Sequence, residues 1–240
     1  MAFLDECIEF AGPAWEAYVH HPWVEALFAG ELDKERFQYW LIQDLSYVFD
    51  PIATQALGKC PPGNTWAHDV LDYSANEKST RVEAQLLEHY GDFAKARWSA
   101  RPRREAFNNF MFRVVHEGNF GEICCAHYPC FRFCDTFAER FKREEPTNIP
   151  ADQVEWIMQF DSESARDTRT ATVQGINEGG EYASPYERER MLWTFLRATQ
   201  HQVQTFDAAW QLSDPWSAGD IDEILAGAPE GRDIAAAAAR

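Results

Sequence analysis

Two side chains in this 240-residue sequence combine a reactive group with an apolar setting. The first is Cys130, which follows Pro129 in a segment whose apolar residues recur at helical spacing. A proline inside a helix removes a backbone donor and loosens the preceding turn, so a thiol next to it is a candidate nucleophile. Free cysteine is also among the most buried residue types, so a purely structural role as a small hydrophobe stays open.

The second is Asp44, which shares an apolar helical face with residues such as Trp40 and Tyr47. A buried carboxylate costs roughly several kcal/mol unless it is hydrogen-bonded or paired with a cation. We therefore expect Asp44 to have either a structural partner, such as the end of a neighbouring helix, or a functional role.

The elements that must position these residues are helices. The segment 118–141 carries one apolar stripe, made of Ile123, Ala126, Cys130, Phe133, Phe137 and Phe141. Residues 37–59 are predicted to form one long helix that contains Asp44. Further helices are predicted at residues 2–20 (bent near Gly12-Pro13), 23–29, 66–90, 104–116, 151–160, 162–178 and 186–212. Loops are predicted at 60–64, at 144–150 and between Gly179-Gly180 and Ser184-Pro185.

No segment alternates between apolar and polar residues in the way of a strand, so the predicted class is all-α. There is no internal repeat and no linker long enough to separate two domains. We expect one helical bundle of seven to eight helices over residues 1–216, followed by a short helix near 221–225 and a mobile tail within 217–240.

The charge and cysteine content narrow the function classes. A formal net charge of -17 repels phosphate backbones and anionic lipid, so neither nucleic acid nor a membrane surface is an expected partner. No apolar run approaches the roughly 20 residues that span a bilayer. The acidic start lacks a signal-peptide pattern, and the 6 cysteines lack secreted-domain spacing. These observations predict a cytoplasmic protein.

Several signatures of other chemistry are missing from the sequence: GxGxxG, GxxxxGK[ST], GxSxG, HExxH and CxxC. No Glu has a His three residues later, as di-iron helical bundles require. In the cysteine- and histidine-rich run 124–134, only Cys130 and Cys134 share a helical face. We therefore expect neither a metal nor another cofactor.

The segment His21 to Asp50 resembles the N-terminal signature of the TenA family (thiaminase II, aminopyrimidine aminohydrolase), in which His-Pro, Gly-x-Leu, Phe-x-x-Tyr and Gln-Asp-x-x-Tyr recur in this order. Residues 128–131, Tyr-Pro-Cys-Phe, resemble the Pro-Cys-aromatic segment of the family's catalytic helix. Residues 155–157 and 206–210 add further matches. Together these anchors cover residues 15 to 212.

The resemblance implies a heme-oxygenase-like helical bundle that is usually a homotetramer, so a homo-oligomer, either dimer or tetramer, is expected. It also implies a pocket for a small heterocycle, an aminopyrimidine derived from thiamin. The residue matching Cys130 is the family's nucleophile, which adds to the pyrimidine ring. The residue matching Asp44 hydrogen-bonds the ring nitrogen and amino group, and the one matching Tyr47 orients the cysteine.

The sequence departs from the family at the polar positions of this pocket. The carboxylic acid that protonates the leaving amine falls on Gln202, and an amide cannot transfer a proton. Two pocket tyrosines fall on Phe107 and Phe160, and a third position that is commonly tyrosine is Cys134. We expect Asp44, Tyr47 and Cys130 to meet in one enclosed pocket whose walls are Trp40, Phe107, Phe160 and Phe206.

Three functions compete on these grounds. The first is hydrolysis of an aminopyrimidine or related C–N bond through Cys130 and Asp44, with a substitute acid such as Glu122 or Asp207. The second is a binding protein that keeps an aromatic pocket for a planar heterocycle but has lost turnover. The third is a related bundle enzyme that acts on another heterocyclic metabolite. A nucleophilic thiol should have a lowered pKa, whereas a structural thiol should be unreactive.

Overall fold

The computed structural model describes residues 2–47, 49–73, 79–91 and 100–217. Its α-helices are α1 (Phe3–Val19), α2 (Pro22–Ala29), α3 (Lys34–Asp44), α4 (Phe49–Ala56), α5 (Trp66–Asp72), α6 (Ser79–Tyr90), α7 (Pro102–Glu117), α8 (Phe120–Phe131), α9 (Arg140–Glu144), α10 (Ala151–Met158), α11 (Glu163–Tyr182) and α12 (Pro185–Gln211). Two 3₁₀-helices span Leu57–Lys59 and Gln159–Asp161, and a π-helix spans Cys134–Glu139. These ranges contain no strand, which confirms the all-α class.

Helix α8 lies at the centre of the bundle. It packs against α11 and α12, and every residue from Phe120 to Phe131 is buried. A methyl group on Gly121 would lie 3.3 Å from the Gly179 Cα atom of α11, so a small residue favours the close approach of these two helices. The expected apolar stripe is present, but the opposite face is buried too, because the helix has neighbours all round. After Phe131 the α-helical pattern gives way to the π-helix.

The predicted long helix over residues 37–59 is interrupted immediately after Asp44, so that prediction is wrong. Helix α3 ends at Asp44, Tyr47 lies outside any helix, and α4 begins at Phe49. Pro51 has no N–H to bond to the carbonyl group four residues earlier, which belongs to Tyr47. Pro51 is tolerated in the first turn of α4, where N–H groups have no partner within the helix. Asp44 and Tyr47 are therefore presented by a helix end and a connecting segment.

Other helix ends follow their sequence signals. The bend in α1 is confirmed at Gly12, whose φ of 41° is unfavourable for other residues. Gly30 closes α2 with a φ of 68°, and the Asp33 carboxylate caps α3 by accepting from the Arg36 amide.

The loop predicted between Gly179-Gly180 and Ser184-Pro185 is shorter than expected, because α11 continues through both glycines to Tyr182 and α12 begins at Pro185. Their lack of a side chain serves packing: the Cα atom of Gly121 lies 3.0 Å from where a methyl group on Gly179 would be. Helices are also more numerous than the seven to eight expected, since the long predicted segments divide into shorter ones. The predicted helix near 221–225 and nearly all of the predicted tail lie outside the described residues. None of the described helices is long and apolar enough to cross a membrane.

Candidate active site

The side chains of Cys130 and Asp44 lie on the same small cavity, which we call the Cys130 cavity. Its volume is about 20 Å³, roughly the space that one water molecule requires. The remaining lining residues are Tyr73, Phe131, Phe133, Cys134, Phe160 and Ala165. Helices α3 and α8, the π-helix and α11 therefore meet around one sulfur atom and one carboxylate.

The Cys130 thiol is protonated at neutral pH. Burial raises its pKa to about 12, the negative charge of Asp44 adds to the increase, and the Arg104 guanidinium and a hydrogen bond from Tyr47 act in the opposite direction. The Gln202 Nε2 atom is 4.0 Å from the sulfur, and the Gln202 side chain is fully buried. The lowered pKa expected of a reactive thiol is therefore absent in this state of the site.

The Tyr47 hydroxyl lies near the Cys130 sulfur, and their interaction lowers the pKa of the thiol and raises that of the phenol. Burial is the main reason why the pKa of Tyr47 lies well above its usual value. The ring of Tyr47 is held edge-on against Phe107, with 5.5 Å between their centres. A hydroxyl group near the sulfur stabilises negative charge there as the thiol loses its proton.

Asp44 is paired with a residue that the sequence analysis did not select. The Arg104 Nη2 atom donates to the Asp44 Oδ1 atom at 3.0 Å, and only 1% of Arg104 is exposed. Its guanidinium group lies over the rings of Tyr47, Trp40 and Phe107 at 5.4, 5.6 and 5.9 Å. The sequence pattern that could have identified Arg104 is its position on α7, three residues before Phe107 and hence on the inward face of the helix.

Glu83 is the second acidic residue that the sequence analysis missed. It is 1% exposed, its Oε1 atom accepts from the Trp156 indole at 3.1 Å, and it shares a hydrogen bond with Asp44. Burial, followed by the charge of Asp44, raises the pKa of Glu83 well above the usual value. Its signal in the sequence was also positional, since the buried Leu86 and Leu87 follow three and four residues later on α6.

Several predicted site residues lie elsewhere than expected. Of the four aromatic walls, Phe160 lines the Cys130 cavity, as does Cys134. Trp40 and Phe206 instead stack on each other, with ring centres 4.3 Å apart, and Phe107 packs against Tyr47 and the His201 ring. These three rings pack around the polar side chains of the site and do not line the cavity. Large aromatic side chains stabilise the fold most when they pack against one another in the core.

The two suggested substitute acids have other partners. The Glu122 carboxylate accepts from the Arg190 Nε atom at 2.8 Å and from the Asn119 amide at the start of α8. Asp207 lies 3.4 Å from the His21 ring. Within the described ranges, no group of three His, Cys, Asp or Glu side chains is arranged to hold a metal ion.

These features define a class of protein: a helical bundle with a buried cysteine and a buried aspartate on one cavity, and with Tyr47, which does not line the cavity, beside them. The model of the TENA/THI-4/PQQC family matches residues 11–212, and the chain belongs to this family.

Two relatives are named aminopyrimidine aminohydrolase. The one from Bacillus subtilis is 26% identical over 230 residues, covering 93% of this chain and 96% of the relative. The one from Halalkalibacterium halodurans is 25% identical over 220 residues, covering 88% and 96%. A solved TenA homologue from P. horikoshii OT3 superposes with a TM-score of 0.72 at 18% identity, covering 89% of this chain and all of that chain. This likeness confirms the helical-bundle fold that the resemblance implied.

Proposed function

We propose that this protein is a thiamin-related hydrolase that cleaves a C–N bond of an aminopyrimidine-like heterocycle, with Cys130 as the nucleophile. The observation that carries this proposal is that Cys130 and Asp44 line one buried cavity, with Tyr47 near enough to the sulfur to lower the pKa of the thiol. The two relatives named aminopyrimidine aminohydrolase support the reaction class.

The chemistry begins from the thiol, since its pKa is raised to about 12. The sulfur forms a bond to the ring carbon that carries the amine, the S–H proton is released, and the ring nitrogen gains a proton. The amine then leaves with the C–N electron pair and takes up a proton, and water displaces the sulfur to regenerate Cys130. Tyr47 stabilises the charge that develops on the sulfur, while Asp44 lies beside the cavity as a proton acceptor.

The proton for the departing amine needs a donor, and we propose that Glu83 is its source. Gln202 lies next to the sulfur but cannot supply a proton. The raised pKa of Glu83 favours its protonated form, and Glu83 shares a hydrogen bond with Asp44, so it can pass a proton to the site through that carboxylate. A carboxylic acid kept neutral by burial is a usual way for an enzyme to provide an acid at neutral pH.

A binding protein for a planar heterocycle is the second candidate. It is favoured by the high pKa of Cys130, together with the amide of Gln202 at the position where the family resemblance requires an acid. In this case the protein would bind a heterocycle without consuming it.

Ammonia release distinguishes the two candidates. The purified protein is incubated with 4-aminopyrimidine derivatives and with thiamin, and ammonia and thiamin loss are measured. We expect slow turnover that Cys130→Ser abolishes and that Cys60→Ser, a change at a half-buried cysteine that does not line the cavity, leaves intact. Turnover that survives in Cys130→Ser would contradict the nucleophile, and binding without any turnover would favour the second candidate.

We also propose that the protein forms a homo-oligomer, either a dimer or a tetramer, in the cytoplasm, and that it has no nucleic-acid partner. Large aromatic side chains on α11 and α12 support the assembly: Tyr182 is 82% exposed, Tyr186 67% and Trp193 46%. The six free cysteines agree with a reducing compartment. Light scattering of the purified protein tests the assembly, and a monomeric mass would contradict it.

A further inference from the structure

Tyr47 lies in the connection between α3 and α4, and the peptide group just before it is hydrogen-bonded at both ends. The Tyr47 N–H group donates to the Asp44 carbonyl oxygen at 2.9 Å. The Ser46 carbonyl oxygen accepts from the Asn108 Nδ2 atom of α7 at 2.8 Å. In an uninterrupted helix this oxygen would accept from the amide of Asp50. The Asn108 side chain therefore bonds a carbonyl group that a continuous helix would satisfy within its own backbone.

Asn108 is an unfavourable residue for its position unless this hydrogen bond matters. It lies on the buried face of α7 with Phe107 and Met111, and a buried amide costs free energy when it lacks partners. Its Oδ1 atom is buried without a partner among the described residues. Asparagine also forms helices less readily than leucine or methionine. The Nδ2 donor is thus the part of the side chain that the structure uses.

One face of α7 contacts Tyr47 at both its ring and its backbone. The Phe107 ring packs edge-on against the Tyr47 ring at 5.5 Å, and the Arg104 guanidinium lies 5.4 Å from the centre of the same ring. Asn108 adds the bond to the preceding peptide group. Because a tyrosine hydroxyl is at the end of a long side chain, a small rotation of that peptide group would move it away from Cys130, and misplacement by about 1 Å can cost an enzyme about a hundredfold.

We propose that Asn108 is a positioning residue, which keeps the Tyr47 hydroxyl beside the Cys130 sulfur by holding the peptide group before Tyr47. Asn108 is not among the residues that line the Cys130 cavity, so it acts through Tyr47. The inference rests on the proposed function for the role of Cys130 as nucleophile. It concerns the reactivity of the thiol, so it can be tested without any turnover.

The test is a double-mutant cycle that measures alkylation of Cys130 by iodoacetamide. The cycle compares the unmodified protein with Asn108→Leu, with Tyr47→Phe and with the double variant. We expect each single variant to react several-fold more slowly, because less thiolate is present. The double variant should react no more slowly than Tyr47→Phe alone, because the hydroxyl that Asn108 positions is already absent. Asn109→Leu, a change at the exposed asparagine next in the chain, should leave the rate unchanged.

The direction of the change separates positioning from a merely structural role. A loosened structure would open more often and expose the buried thiol, so its labelling would become faster. An unchanged or faster rate in folded Asn108→Leu would overturn the proposal, as would an unchanged rate in Tyr47→Phe. Additive losses in the double variant would also overturn it, because Asn108 would then act independently of Tyr47. If Asn108→Leu does not fold, Asn108→Ala, which adds no volume to the core, replaces it in the same cycle.

Ammonia release from an aminopyrimidine is measured separately on the same variants. Turnover that survives in Cys130→Ser would contradict the proposed nucleophile but leave the labelling comparison intact. A proposed hydrolase that is confirmed by ammonia release, together with an unchanged labelling rate in Asn108→Leu, would overturn the role of Asn108 alone.

Discussion

The two halves of the site are built on different physical grounds. The thiol half consists of Cys130, Gln202 and Tyr47, which are uncharged at neutral pH and are held by the apolar packing of α8, α12 and the segment before α4. The carboxylate half consists of the ion pair between Asp44 and Arg104 and of Glu83, whose pKa is raised by burial and by the charge of Asp44. Chemistry at the sulfur can therefore be altered with little structural cost, whereas each member of the carboxylate half depends on the others.

The largest expected effect comes from adding an acid to the thiol half. Gln202→Glu supplies a carboxyl group next to Cys130, and positioned acid catalysis contributes about a hundredfold to ten-thousandfold. We expect hydrolysis of an aminopyrimidine to increase accordingly, measured as steady-state ammonia release.

Gln200→Glu, a change at a half-buried residue two positions earlier, is the matched control and should have no such effect. If the unmodified protein already hydrolyses an aminopyrimidine at about 1 per second or faster, Gln202 does not occupy the position of the acid that protonates the leaving amine.

The second-largest expected effect is on the free energy of unfolding, and it tests directly whether the thiol half and the carboxylate half differ. Arg104→Met leaves the buried Asp44 charge without its cationic partner and should lower the free energy of unfolding by about 3–5 kcal/mol. Gln202→Met removes an amide whose oxygen is already unpaired among the described residues, and should change the free energy of unfolding by only about 1 kcal/mol.

Urea denaturation measures both values. Adding Asp44→Asn to Arg104→Met should recover much of the loss, because the unpaired charge is then gone. Equal losses of unfolding free energy in Arg104→Met and Gln202→Met would show that the two halves contribute equally to stability.

The third effect is the loss of the proton source. Glu83→Gln keeps an oxygen that can accept from the Trp156 indole but cannot donate a proton, so turnover should fall by about a hundredfold while the protein stays folded. Glu88→Gln, at an exposed position of the same helix, should leave turnover unchanged. Retained turnover in a folded Glu83→Gln variant would show that another residue supplies the proton.

The smallest effect is a change in thiol reactivity. Because the pKa of Cys130 is about 12, its thiolate fraction should increase about tenfold per pH unit at any pH below that value. Alkylation by iodoacetamide, followed by mass spectrometry of the Cys130 peptide between pH 7 and 9, should follow this slope.

Tyr47→Phe removes the donor that stabilises the thiolate, so alkylation should become several-fold slower at each pH. Fast labelling of the unmodified protein at pH 7 would mean that the thiol is already ionised.

Much of this architecture could be predicted from local signals. Helical periodicity, together with the residues that begin and end helices, located α7 and α12 to within two residues of their ends. The bend at Gly12 and the end of α2 at Gly30 follow from local backbone chemistry. Cys130 and Asp44 could be selected because a reactive group on an apolar face is unusual in itself. These features depend on residues close together in the chain.

The features that could not be predicted depend on distant residues. Periodicity places Glu83 and Arg104 on inward faces, but it does not predict which helix each face meets. Both residues contact Asp44, from positions 39 and 60 residues further along the chain. In the same way, Gly179 resembles a helix terminator until α8 is packed against α11. A local pattern determines which face of a helix is buried, while the partner of a buried charge is determined by how the helices pack.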